Sequence, residues 1–151
     1  MFTKKGFTVI ELIVTVGIIT ILSSLVTINL VTTQRHTSLA AAVLLLQSDL
    51  KQQQLKAMDG DTGQLGSSPA NYGLHFETDK YTLFRQAFVS GAPANFVVKL
   101  DSNLHFTTLG DLTFSKGSGE IIGPSTITLE DGYGNHRTLN INHLGVVTSL
   151  N

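Results

Sequence analysis

Glu11 is the residue whose placement most demands a chemical explanation. It stands at the start of an apolar run, and no charged residue follows from Leu12 to Gln34. A carboxylate just inside an apolar helix is costly and points to a function with a partner to be named. Immediately before it come the basic pair Lys4-Lys5 and then Gly6-Phe7. The other residues with chemical potential are scattered. No two of the five histidines (His36, His75, His105, His136, His143) have the i, i+4 spacing that sets two imidazoles on one helical turn, so no metal site is expected. Ser, His and Asp are all present, but without a G-x-S-x-G elbow. Gly117-Ser118-Gly119 lacks the Lys-Ser/Thr of a phosphate loop and reads as a turn. Asp59-Gly60-Asp61 starts like a calcium loop, yet Gly63 falls on the third ligand position and no Glu follows at the twelfth. A helix stop is the simpler reading. With no cysteine, disulfides, thiolate catalysis and Cys-based metal centres are excluded. Neither catalysis nor a cofactor is expected.

The element that carries Glu11 is the N-terminal apolar segment. Between Phe7 and Val31, 16 of 25 residues are Leu, Ile, Val or Phe, with no proline and one glycine, Gly17. As a helix such a segment spans roughly 38 Å, enough for a bilayer core of about 30 Å. Residues 7–31 therefore read as a transmembrane helix, with Lys4 and Lys5 holding the N-terminus in the cytoplasm. The run is too long for a conventional signal peptide, and Thr32-Thr33-Gln34-Arg35-His36 offers no small-residue cleavage site. A plain anchor accounts for the length but not for Glu11.

Lys4-Lys5-Gly6-Phe7-Thr8-Val9-Ile10-Glu11-Leu12 resembles the class III signal of type IV prepilins. The resemblance implies a leader at residues 1–6, cut after Gly6 by a membrane peptidase, and N-methylation of the new first residue, Phe7. It makes Glu11 the fifth residue of the mature chain. Cleavage creates an ammonium at Phe7, and Glu11 lies one helical turn away. In a bundle of identical helices that carboxylate can pair with the Phe7 amine of an adjacent subunit and fix the axial register. The partners implied are other pilin or pseudopilin subunits, the peptidase–methyltransferase, and the membrane before assembly. Many major type IV pilins carry a helix-bending proline in this segment. Its absence here leans toward a minor pilin or pseudopilin, although Ser23-Ser24 could soften the helix by back-bonding.

Residues 32–58 continue the helix in amphipathic form: Leu39, Ala42, Val43, Leu46 and Leu50 form one stripe. Leu44, Leu45 and Leu55 fall off it and face either the domain's own loops or a neighbouring subunit. A linker at 59–70 leads to an antiparallel β domain at 71–151 of six to eight short strands. The pairs Tyr81/Leu83, Phe96/Val98, Leu104/Phe106, Leu112/Phe114, Ile127/Leu129 and Leu139/Ile141 alternate with polar residues. The fold class is α+β: a long N-terminal helix with a membrane half and an amphipathic half, the latter packed against the β domain. Tyr72–Phe76, Lys80–Phe84 and Leu139–Val147 are similar to the GspH/FimT-like pseudopilins and minor pilins.

The net charge is −1, and after Val31 eight Lys/Arg face ten Asp/Glu. No basic field exists to attract a nucleic acid backbone, and His136, Arg137 and His143 do not amount to a basic tail. The expectation is a structural subunit of a type IV pilus or type II secretion pseudopilus, first inserted in the inner membrane with its C-terminal domain outside the cytoplasm. The alternatives are a DNA-binding minor pilin of a competence pilus and a single-span anchored binding domain.

Overall fold

The computed structural model describes residues 6–62 and 68–151, except for the side chains of residues 24–37. The chain divides into two compact units, residues 1–37 and 38–151. One helix, α1 (Val9–Met58), runs through both. It is followed by β1 (Tyr72–Phe76), β2 (Lys80–Arg85), β3 (Phe96–Lys99), β4 (Leu104–Phe106), β5 (Gly110–Phe114), β6 (Ile121–Ile122), β7 (Thr126–Asp131), β8 (His136–Ile141) and β9 (Val147–Leu150). The layout is the α+β, pilin-like one.

In the first unit the helix starts for a local reason. Thr8 is its N-cap: the Oγ1 atom accepts the Glu11 N–H at 3.3 Å, and its carbonyl accepts the Leu12 N–H at 3.2 Å. Thr8-x-x-Glu11 is the capping-box spacing, and an acid in the first turn is favoured by the helix dipole. The two threonines further along donate to the helix's own carbonyls, Thr15 to Leu12 at 2.9 Å and Thr20 to Val16 at 2.8 Å. Their hydroxyls are thus satisfied without water, as an apolar surrounding would require.

The second unit owes its core to the stripe on the last part of α1. Leu39, Val43, Leu46, Leu50 and Ala57 are buried, and their spacing keeps them on one face. They pack with the inward residues of both sheets: Leu74, Phe76, Tyr81, Leu112 and Phe114 of one, Leu104, Phe106, Ile127, Leu129, Leu139 and Ile141 of the other. The first sheet has the order β3-β2-β1-β5-β6 and the second β4-β7-β8-β9. All neighbours are antiparallel. Phe76, Tyr81 and Phe106 meet at ring-centroid distances of 5.1–6.3 Å, mostly edge to face, which adds to their burial.

The helix ends in a Schellman turn. Gly60 takes φ 71°, and the Asp61 N–H reaches back to the Lys56 carbonyl at 3.0 Å, so the Asp59-Gly60-Asp61 segment acts as a stop. A second glycine joins sheet to helix. Gly145 takes φ 77°, and a Cβ there would collide with the Gln54 Nε2 atom and the Gly119 carbonyl. That close approach lets the buried Gln54 amide donate to Leu144 O at 2.6 Å and Gly119 O at 3.2 Å, tying two turns to α1.

Two details depart from the sequence expectation. The described residues hold nine strands rather than six to eight; the excess includes β6, whose two residues are too few to alternate. Phe96, expected on an inward face, is 65% exposed at the start of the edge strand β3, while Val98, two residues on, packs against the core.

Candidate functional site

The N-terminal residues singled out by the sequence sit together at the head of α1. Gly6 and Phe7 precede the first helical residue, Val9. Nothing lies within 4 Å of where a Gly6 Cβ would stand, and Phe7 is 82% exposed. Glu11 is exposed one turn further on. Lys4 and Lys5 lie outside the described residues. From Phe7 to Leu22 every large apolar side chain is more than half uncovered: Val9, Ile10, Leu12, Ile13, Val14, Val16, Ile18, Ile19, Ile21 and Leu22 all present themselves on every side of the helix. A helix apolar all round is not a surface helix of a soluble domain; it requires a surrounding that is itself apolar. Among the described residues no helix is long and apolar enough to cross a membrane. Of the expected span, the side chains of residues 24–31 lie outside the described set.

The second unit carries further apolar side chains on the solvent side of α1. Leu44 is 65% exposed and Leu55 52% exposed. Eleven residues make about three turns, so the two lie on one line along the helix. Of the two alternatives for Leu44, Leu45 and Leu55, packing under the domain's own loops is not what the described residues provide, since all three stay about half exposed or more. Leu45 is also exposed, on the flank toward Val98 and Lys99.

The titratable groups of the second unit are mostly structural. Tyr81 Oη donates to Asp49 Oδ2 at 2.5 Å; burial first, then that carboxylate, pushes the phenol above the usual tyrosine range. Burial, followed by the nearby Asp61 charge, also pushes Tyr72 up. Asp131, buried at the β7–β8 turn, accepts the Tyr133 and Asn135 N–H groups, each at 2.9 Å, and so shapes the hairpin. His75 is stacked on Phe88 at 3.7 Å, with Nδ1 2.5 Å from Asp111 Oδ1. His143 is exposed in the β8–β9 turn, and the side chain of His36 lies outside the described set. His105 and His136 stand on the strands to either side of Glu130 in the second sheet, level with it, a placement that their separation in sequence conceals. Among the described residues no three His, Asp or Glu side chains stand converged as a metal site.

The family model of the prokaryotic N-terminal methylation motif matches residues 1–27. The chain opens with a class III prepilin signal. That signal, together with the α+β layout, supports a type IV pilin-like protein. A prepilin signal implies processing by a prepilin peptidase, insertion in the membrane, and assembly with other pilins. No curated protein and no solved structure matches the chain.

The Thr8 cap was readable from the Ser/Thr-x-x-Glu spacing. The cap takes the Glu11 backbone N–H, and the Glu11 carboxylate is favoured in the first turn by the helix dipole, a local role in addition to any between subunits. A plain anchor helix would gain that same dipole benefit from Glu11, so the prepilin signal as a whole carries the assignment.

Proposed function

We propose that this protein is a structural subunit of a type IV pilus or a type II secretion pseudopilus, of the minor pilin or pseudopilin kind. It is cut after Gly6 and N-methylated at Phe7, and it passes through the inner membrane before assembly. The observation that carries this reading is the methylation motif over residues 1–27, heading a helix whose apolar side chains are uncovered on all sides from Phe7 to Leu22. Lipid covers that surface first. Packing against the equivalent helices of other subunits covers it afterwards, with the β domain outside. The domain boundaries follow: leader 1–6, assembly helix 7–31, amphipathic continuation 32–58, linker 59–70 and β domain 71–151.

Within the assembly, Glu11 pairs with the Phe7 ammonium of a neighbouring subunit. Two charges removed from water are tolerated only as a pair, and that pair fixes the stagger between helices. The test separates this from the capping role. Glu11→Gln and Glu11→Ala subunits are expected to be cut and inserted normally but to enter filaments poorly, at a tenth or less of the wild-type yield on the order-of-magnitude cost of an unpaired buried charge. Thr8→Ala, which removes the cap alone, leaves filament yield near wild type. Wild-type yield from Glu11→Ala refutes the register role.

A further inference from the structure

The second sheet turns an unbroken row of metal-binding side chains to solvent. In β4, Leu104 and Phe106 are buried and His105 between them is not. In β7, Leu129 and Asp131 are buried and Glu130 between them faces out. In β8, Leu139 and Ile141 are buried, which puts His136 on the outer face with Thr138 and Asn140. Strand register sets these three in one line, since His105 lies opposite Glu130 and Glu130 lies opposite His136. His105 Nε2 is 4.0 Å from Glu130 Oε2, and His136 is exposed.

The geometry points to a divalent transition-metal site formed by His105, Glu130 and His136, with Glu130 as the central ligand and an imidazole from each flanking strand. Neighbouring strands are about 4.8 Å apart, so each histidine need lean only one strand spacing inward to reach the space above Glu130. His105 already does so. His136 is not converged on that point; as an exposed side chain it reaches it by changing rotamer. Two imidazoles and a carboxylate are the donor set of zinc, nickel or copper rather than of magnesium or calcium, which take oxygen ligands alone. Lys and Arg are absent from these three positions, and the next positions outward are Thr128 and Thr138, whose hydroxyls hydrogen-bond each other at 3.2 Å. Three protein ligands leave at least one coordination position open to water or to a group from another molecule. The site lies wholly within the second unit.

The experiment uses the full chain, purified without a histidine tag in detergent and stripped of metal. Zn²⁺ alone is titrated by calorimetry, and one equivalent of Cu²⁺ is examined by electron paramagnetic resonance. One tight site per chain is expected, with nitrogen couplings from two imidazoles. His105→Ala and His136→Ala should each weaken binding at least about tenfold, the lower end of what losing even an outer-sphere partner costs a metal site. Glu130→Gln should weaken it too while leaving both nitrogen couplings. His75→Ala and His143→Ala should bind as wild type. Circular dichroism checks that the variants are folded, and His136, fully on the surface, supplies the variant least able to disturb the fold. Wild-type affinity in both His105→Ala and His136→Ala, or no binding at millimolar Zn²⁺, overturns the proposal.

Discussion

The two units of this chain use one helix in opposite ways. In residues 38–58 one apolar face is sorted inward: Leu39, Val43, Leu46 and Leu50 are buried and Lys51 and Gln52 go out, with Leu44, Leu45 and Leu55 left on the exposed side. In the described part of the first unit nothing is sorted. Apolar side chains from Phe7 to Leu22 cover the whole circumference and remain uncovered. A helix face that finds its cover within its own chain gives a folded domain. An apolar helix left uncovered by the described residues must take its cover from lipid or from other molecules. The prepilin signal at the head of that helix implies both covers, membrane insertion and assembly with other pilins.

The comparison breaks most easily in the sorted stripe. Leu46 is fully buried, and Leu46→Ala is expected to lower the unfolding free energy of the β domain by about 3 kcal/mol through lost burial and an unfilled cavity. Denaturant titration followed by near-ultraviolet circular dichroism reads this. A loss under about 1 kcal/mol would place Leu46 outside the core. Tyr81→Phe comes next. It removes the hydrogen bond to Asp49 and should cost about 1.5–3 kcal/mol at neutral pH, the range for bonds to charged groups. Its pH signature is the sharper test. The folded domain holds the Tyr81 proton more tightly than the unfolded chain does. That contribution is complete below the ordinary tyrosine range and is lost as pH rises above about 10. Tyr81→Phe should flatten the alkaline loss of stability; an unchanged slope would remove Tyr81 as its source.

Smaller effects sharpen the contrast at its edges. Thr8→Ala should cost the first turn of α1 about 1 kcal/mol, seen as faster hydrogen exchange at the amides of Ile10 and Glu11. Unchanged exchange would show that the cap adds nothing there. Leu44→Ala and Leu55→Ala, on the exposed line of the same helix that carries Leu46, should change domain stability by less than about 0.5 kcal/mol. On the proposed function their effect falls on filament yield instead. A stability loss as large as that of Leu46→Ala would mean that the domain itself covers them.

Local patterns in the sequence carried the helix stripe, the Gly60 stop and most of the strands, because burial on one face imposes a period that neighbouring residues record. Leu112/Phe114, Ile127/Leu129 and Leu139/Ile141 all alternate and are all buried. Features that depend on which strands become neighbours were not legible. Phe96 has the alternation of a half-buried strand and is exposed at the start of an edge strand, while Val98 on the same face reaches the core. The row His105–Glu130–His136 needs the β4–β7 pairing, which joins segments far apart in sequence. Leu44 and Leu55 could be read either way until the domain was seen to leave them bare. The candidate site at Gly6, Phe7 and Glu11 was legible from the first eleven residues because its motif is linear, carried by neighbours in sequence rather than assembled by the fold.

That linearity makes the central claim directly measurable. Intact mass and N-terminal sequencing of the protein extracted from membranes should show the loss of residues 1–6 and an N-methylated Phe7 at the new start. An unprocessed chain beginning at Met1 would contradict the account.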